Sequence, residues 1–306
     1  MPPSRPPRTA LVTGATGGLG REISLRLARE GYRLFLHGRD PGRLDDLAGT
    51  AERLGAVRPT ILVARFEALG AAAAMCAELE SRVPGLDLLI NNAGTGFHTN
   101  AVTVDGHRSI FQVNYLVPCL LMRRLLPLMR GRRGATILNI ASTGQADLPA
   151  TLARCGDAGE ALAYGQSKLA LIMATRTLAD DLGPRGPRVF ALHPGSMLDT
   201  GLTRTLLARM PRWVTLAWKG TRRLRPSVEQ AARFVVERGL DADEAWPNGS
   251  FLTAKGLGRI RPQADDPAAR RALQAFTRSA IDCFLTAEPP PSSRAKSEAF
   301  AEMDTL

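Results

Sequence analysis

A glycine-rich turn, Thr13-Gly14-Ala15-Thr16-Gly17-Gly18-Leu19-Gly20, sits between a short apolar run and a segment with helical periodicity, and few folds accept such a turn there. Residues 9 to 13 read as a buried strand. Leu19, Ile23 and Leu27 recur at helical spacing, Gly31 closes that helix, and a second apolar run follows from Tyr32 to His37. Strand, turn, helix and strand make one βαβ unit. In such a unit Gly14 permits the tight turn, Gly18 lets backbone approach a pyrophosphate, and Gly20 lets the helix pack closely on the strand. The helix amino terminus then offers unpaired N–H groups to phosphates. The expected fold class is α/β, a single doubly wound parallel sheet with a carboxy-terminal helical extension.

Further motifs follow in order. Asn91, Asn92, Ala93 and Gly94 come after the apolar strand LDLLI, and Asn114 lies in FQVNYLVPCLL. Ser142 closes the strand TILNIAS, Tyr164 and Lys168 stand four apart in YGQSK, and Pro194 with Gly195 follows RVFALH. With Thr13, Gly14, Gly18 and Gly20, this ordered set resembles the short-chain dehydrogenase/reductase family over roughly residues 8 to 255. Within it, TVDGHRSIFQVN and YGQSKLALI are similar to the branch of retinol dehydrogenases and related carbonyl reductases. The resemblance implies a Rossmann fold, a nicotinamide dinucleotide, and interconversion of an alcohol and a carbonyl. It implies that Thr13, Gly14, Thr16, Gly18, Leu19, Gly20, Arg39, Asn91, Ala93, Gly94, Tyr164, Lys168, Pro194 and Gly195 line the cofactor site. It also implies a catalytic set: Ser142 holds the substrate oxygen, Tyr164 moves the proton, Lys168 binds the nicotinamide ribose, and Asn114 positions a water in a proton relay. Ser142 is preferred to its neighbour Thr143, being the second residue of the pair after the strand.

The chemistry accounts for these residue types. Hydride transfer to or from nicotinamide requires a proton to move on the oxygen. A phenol with a pKa of about 10 is a poor base near neutrality unless positive charge stabilises the phenolate. Lys168, one helical turn after Tyr164 on the same face, is expected to lower the phenol's pKa. Between Ser142 and Tyr164 an insertion, DLPATLARCGDAGE, is expected to add loop beside the site, with Cys155 an incidental thiol. The alternative from another class is a nucleotide-binding regulatory or interaction protein of this fold without turnover, which a missing catalytic residue would favour; none is missing.

Cofactor preference turns on the end of the second strand, LFLHGRD. An acidic residue there would bind the ribose of NAD, whereas an arginine accommodates the extra phosphate of NADP. Arg39 occupies the arginine position, and neither His37 nor Gly38 is acidic. Asp40 precedes Pro41 and reads as a helix N-cap. The expectation is NADP(H), with NAD(H) also admitted, because Gly17 stands where many NADP-preferring relatives carry a basic residue and Arg65 stands where an adenine-contacting aspartate is common.

The 306 residues, 44% hydrophobic, suit one domain over 8–286, with tails 1–7 and 287–306 expected to be disordered. The net charge of +11 is spread as arginine along the chain with few aromatics, so nucleic acid is not expected as a partner. The densest basic stretch, RWVTLAWKGTRRLRP, falls in the expected substrate lid, about 196–226, where Trp213, Leu216 and Trp218 suit an apolar carbonyl or alcohol, with a weak peripheral membrane contact as a second role. No run reaches the roughly 18 apolar residues of a membrane helix, and no signal peptide is expected. Four scattered cysteines suit a reducing cytoplasm and no metal site. Ala272, Leu273, Phe276 and Ile281 give the carboxy-terminal helix an apolar face, expected to pack near the lid. A monomer or a homodimer is expected.

Overall fold

The protein is described from a computed structural model covering residues 7–96, 100–157, 159–195, 226–240 and 246–285. The expected lid, Pro226 apart, lies outside these residues, as do the tails except residue 7. β1 (Thr9–Val12), α1 (Gly18–Arg29) and β2 (Arg33–Gly38) form the expected βαβ unit. They are followed by α2 (Pro41–Arg53), β3 (Thr60–Val63), α3 (Leu69–Arg82) and β4 (Leu88–Asn91). A short helical turn (Ser109–Phe111) and a π-helical turn (Gln112–Leu116) lead without a break into α4 (Val117–Met129). Then come β5 (Thr136–Ile140), α5 (Glu160–Leu182), β6 (Arg188–His193), α6 (Val228–Leu240), β7 (Phe251–Thr253), β8 (Gly256–Leu257) and α7 (Pro267–Ile281).

The strands make one sheet in the order β3-β2-β1-β4-β5-β6-β7-β8, parallel except for β8, which returns antiparallel on β7. The order reverses between β1 and β4, and a crevice opens there beyond the strand carboxyl ends. Val12 pairs with Leu36 and with Ile90, and Asn91 with Asn139, so the strand ends that carry the motifs share one edge.

Alternation along each strand feeds two cores. Leu11, Leu89 and Ile137 face the layer of α3, α4 and α5, while Val12, Ile90 and Leu138 face the layer of α1, α2 and α6. Burial on both faces is why residues 10–12 and 88–90 are continuous apolar runs and why every residue of β5 is buried. In α7, Leu273 and Ile281 are buried and Phe276 half-buried, but Ala272 is exposed. The helix packs on α5 and the π-helical turn, and Tyr115 in that turn is bonded to Thr277 at 2.5 Å.

Candidate active site

The glycine-rich turn is built by backbone. Gly14 adopts φ +62°, a left-handed conformation that other residues resist. Thr13 N donates to Ile90 O at 3.0 Å and Ala15 N to His37 O at 2.8 Å, which ties the turn to the strands on either side. A Cβ on Gly20 would lie 2.2 Å from Gly14 O and 2.6 Å from Asn92 Nδ2, so α1 can approach only as glycine. The N-cap of α1 is Gly17, with no side-chain cap and no acidic residue in the first turn. Its first N–H groups therefore suit an anion, as the phosphates of a dinucleotide require. Gly17 and Gly18 are exposed, whereas the Leu19 side chain belongs to the core, leaving that residue its backbone to offer.

Three residues outside the expected set of cofactor-lining residues hold this turn. Asn92 Nδ2 donates to Thr13 O (2.8 Å) and Gly14 O (3.1 Å), and the N–H groups of Asn92 and Ala93 both donate to Thr13 Oγ1 at 3.0 Å. His37 lies behind it: Gly14 N–H donates to Nδ1 (3.2 Å), which puts the ring proton on Nε2, facing Ala64 O at 3.1 Å. Burial lowers the His37 pKa to about 4, and the ring stacks on Phe66 at 3.9 Å. Arg43, a turn after Arg39, donates to Thr16 O at 3.2 Å. Its spacing from Arg39 was the available signal.

Arg39 is exposed and meets Glu67 at 3.3 Å. Asp40 caps α2, accepting from Arg43 N at 3.0 Å with Pro41 at the first position. Asn91 is buried and donates to Asn139 Oδ1 at 2.8 Å, while its own Oδ1 has no hydrogen-bond partner among the described residues. Asn139 in turn donates to Thr175 Oγ1 at 2.9 Å. Pro194 and Gly195 leave β6 at the same edge of the sheet, where Gly195 takes φ +99°.

The four expected catalytic residues converge from β5, the π-helical turn and α5. Asn114 Oδ1 accepts from Thr95 N and Nδ2 donates to Thr95 O, both at 2.8 Å, and Nδ2 also donates to Ser167 Oγ at 3.1 Å. Its amide thus clamps the loop after Gly94. A Cβ on Gly94 would stand 3.3 Å from Asn114 Oδ1 and 3.7 Å from Lys168 Nζ, so glycine keeps open the space between them. Ser142 Oγ accepts from Gly144 N at 3.0 Å and is hydrogen-bonded to the Tyr164 phenol, whereas Thr143 is exposed. Lys168 is buried and donates to Ile140 O at 2.8 Å, with Nζ 5.5 Å from the centre of the Tyr164 ring.

Burial raises the Tyr164 pKa above its ordinary value, and the hydrogen bond with the Ser142 hydroxyl acts against that rise. Lys168 itself is lowered to about 8 by burial. Desolvation disfavours the charged form of each group. His193, at the end of β6, is also lowered by burial and by Lys168.

The insertion is tied down. Arg261 pairs with both carboxylate oxygens of Asp147, at 2.6 and 2.5 Å, and Gln166 Oε1 accepts from Gly156 N at 3.1 Å. Cys155 is buried, and desolvation pushes its pKa up to about 12, so it is no nucleophile. No cluster of metal-ligating side chains occurs among the described residues.

Comparison with known proteins agrees with this architecture. The model of the family described as short chain dehydrogenase matches residues 8–210. Mouse retinol dehydrogenase 12 is 31% identical over 81% of this chain and 78% of its own length, and mouse retinol dehydrogenase 14 is 33% identical over 69% and 68%. Among solved structures, the NADPH-bound carbonyl reductase from chicken fatty liver superposes with a TM-score of 0.63 at 26% identity, covering 83% of this chain and 99% of that one. The chain belongs to the short-chain dehydrogenase family, in the branch of the retinol dehydrogenases, and is an oxidoreductase of alcohol and carbonyl groups that works with a nicotinamide cofactor on small molecules.

Proposed function

We propose that this enzyme is an NADP(H)-dependent carbonyl reductase and alcohol dehydrogenase for apolar substrates, with Tyr164 as the general acid and base. The observation that carries the reading is the convergence of the Tyr164 phenol, the Ser142 hydroxyl and the buried Lys168 beside the glycine-built turn. The bound nicotinamide supplies the hydride in reduction and takes it in oxidation. Ser142 holds the substrate oxygen, and Tyr164 delivers the proton from its phenolic Oη. Because burial raises the phenol's pKa, Tyr164 is protonated at neutral pH and ready to act in reduction; as a base in oxidation it gains with rising pH. Lys168, at about 8, is mostly ammonium at pH 7 and is the group to bind the ribose. Asn114 is a positioning residue: it clamps Thr95 and so sets the wall on which Gly94 lies.

NADP(H) is favoured over NAD(H) by two guanidiniums at the end of β2. Arg39 is exposed, and Arg43 already reaches the Thr16 carbonyl in the turn. The carboxylate that follows Arg39 in sequence, Asp40, is engaged as a helix cap. Glu67 competes for Arg39, so a 2′-phosphate would displace that contact. An apolar substrate is supported by the relatives named for retinol and by Trp213, Leu216 and Trp218 in the expected lid. Four free cysteines fit a reducing cytoplasm, and no described helix is long and apolar enough to cross a membrane.

The test is titration with NADPH and NADH followed by a carbonyl screen with the preferred one. NADPH is expected to bind at least tenfold more tightly, and Arg39→Ala with Arg43→Ala to remove that margin while leaving NADH affinity nearly unchanged. A wild type that prefers NADH would overturn the cofactor assignment. Tight NADPH binding with no turnover on any carbonyl would favour the regulatory alternative.

A further inference from the structure

A second hollow begins about three turns beyond Tyr164 along α5, about 15 Å by helical rise. It opens between α4, α5 and α7 and has a volume of about 240 Å³. Met122 and Leu126 of α4, Ala174 and Leu178 of α5, and Leu273 of α7 give it an apolar floor. Nothing in the proton-transfer machinery uses it: Tyr164, Lys168 and Ser142 are absent from its lining.

Its rim is cationic. Arg123, Arg130 and Arg278 border the hollow, and none of them makes an ion pair among the described residues. Of the other charges there, one is paired with an opposite charge and one, the Asp181 carboxylate, meets only a neutral amide among the described residues. Arg270 pairs with Asp180 at 2.5 Å, and Asp181 accepts from Gln274 at 3.2 Å. Unpaired arginines are common among the described residues of this basic chain, so it is their position around an apolar hollow that distinguishes these three. Three unpaired guanidiniums around an apolar hollow favour a ligand whose tail fills the hollow and whose anionic head the arginines bind. At roughly 30 Å³ per carbon-sized group, the volume holds about eight such groups.

We infer that the hollow between α4, α5 and α7 is a binding site for a single-chain amphiphile with an anionic head, separate from the active site. Its occupant is a monomeric molecule, since the tail must enter the hollow while the head stays at the rim.

The experiment is calorimetric titration of the full chain, saturated with its preferred nicotinamide cofactor, using decanoate below its micellar concentration. Decyltrimethylammonium, with the same tail and the opposite charge, is the control. One decanoate is expected to bind per chain, at least tenfold more tightly than the cation. The combined variant Arg123→Gln, Arg130→Gln, Arg278→Gln should lose at least tenfold in decanoate affinity while turning over carbonyl substrate as the parent does. Ala174→Phe, which fills the hollow, should abolish binding. The surface triple variant leaves the core intact, so the inference stays testable if Ala174→Phe fails to fold. Absent binding, equal affinity for the cation, or decanoate affinity unchanged in the triple variant would overturn it. So would recruitment to phosphatidylglycerol vesicles without binding of monomeric decanoate, which would reduce the arginines to a charged surface.

Discussion

The two walls of the crevice are made in different ways. On the β1–α1 side the shape comes from backbone: Gly14 at positive φ, Gly20 where no Cβ fits, and a turn held by Asn92, Thr13 and a neutral His37. On the β5–α5 side it comes from side chains, among them a lysine whose charge is buried against a carbonyl oxygen without a carboxylate partner among its described hydrogen bonds. The first wall is thus optimised as structure, and substitutions there should be read in stability. The second carries groups that stability alone would not select, so substitutions there should be read in turnover.

The sharpest test of that division is Tyr164→Phe. Removing the proton donor should lower kcat by about 10³-fold, within the usual contribution of general acid catalysis. Thermal stability and NADPH affinity should change little, because Phe preserves the ring and removes only the hydroxyl that meets Ser142. A kcat within tenfold of the parent would erase the functional character of this wall. The opposite wall supplies the next largest effect. Gly20→Ala forces a Cβ to within 2.2 Å of Gly14 O and should cost about 3 kcal/mol in denaturant unfolding. A variant as stable as the parent would mean that the turn yields readily and is not the rigid cradle described.

Much of this was legible in the chain. The glycine spacing and the two flanking apolar runs specify a βαβ unit, and a proline after Asp40 specifies a capped helix, as Arg43 N to Asp40 confirms. The Tyr164–Lys168 spacing places both on one helical face. What was not legible depends on partners far away in sequence. Which of Asn91 and Asn92 steadies the turn depends on where β4 ends: Asn91, still in register with Asn139, turns toward β5, and Asn92, one residue later, turns toward Gly14. The charge states of Tyr164 and Lys168 depend on how thoroughly other elements remove water from them, which helical spacing cannot report. An amphipathic face on α7 announces burial without naming the surface it meets, here α5 and the π-helical turn.

Lys168 offers a test with an inverted sign. Its pKa in the folded protein, about 8, is below the ordinary lysine value of 10.5. The unfolded chain therefore holds the proton more tightly, and below pH 8 the folded state carries the full cost of the buried charge. Between pH 8 and 10.5 the unfolded state binds more protons than the folded one, so stability rises with pH; above 10.5 the cost is gone. A shift of this size corresponds to roughly 3 kcal/mol, reduced to about 2 kcal/mol when the lost bond to Ile140 O is set against it. Lys168→Met should therefore be more stable than the parent at pH 7 by about 2 kcal/mol, lose that advantage toward pH 10.5, and be severely impaired in turnover. A variant less stable at every pH would place Lys168 with the structural residues instead.

The smallest effect separates geometry from chemistry within the first wall. Thr13 Oγ1 accepts from two backbone N–H groups and donates to Ile90 O at 3.3 Å, and the residue is buried. Thr13→Val keeps the shape and strands both N–H groups, at a cost of about 1–2 kcal/mol. Thr13→Ser keeps the oxygen and loses only a methyl group, about 0.8 kcal/mol at most by area. If the turn is held by the hydroxyl, Val should weaken both unfolding stability and NADPH affinity while Ser leaves affinity intact. Equal losses in the two variants would show that the β-branched shape at the end of β1, and not the hydrogen bonds to Asn92 and Ala93, sets the position of the turn.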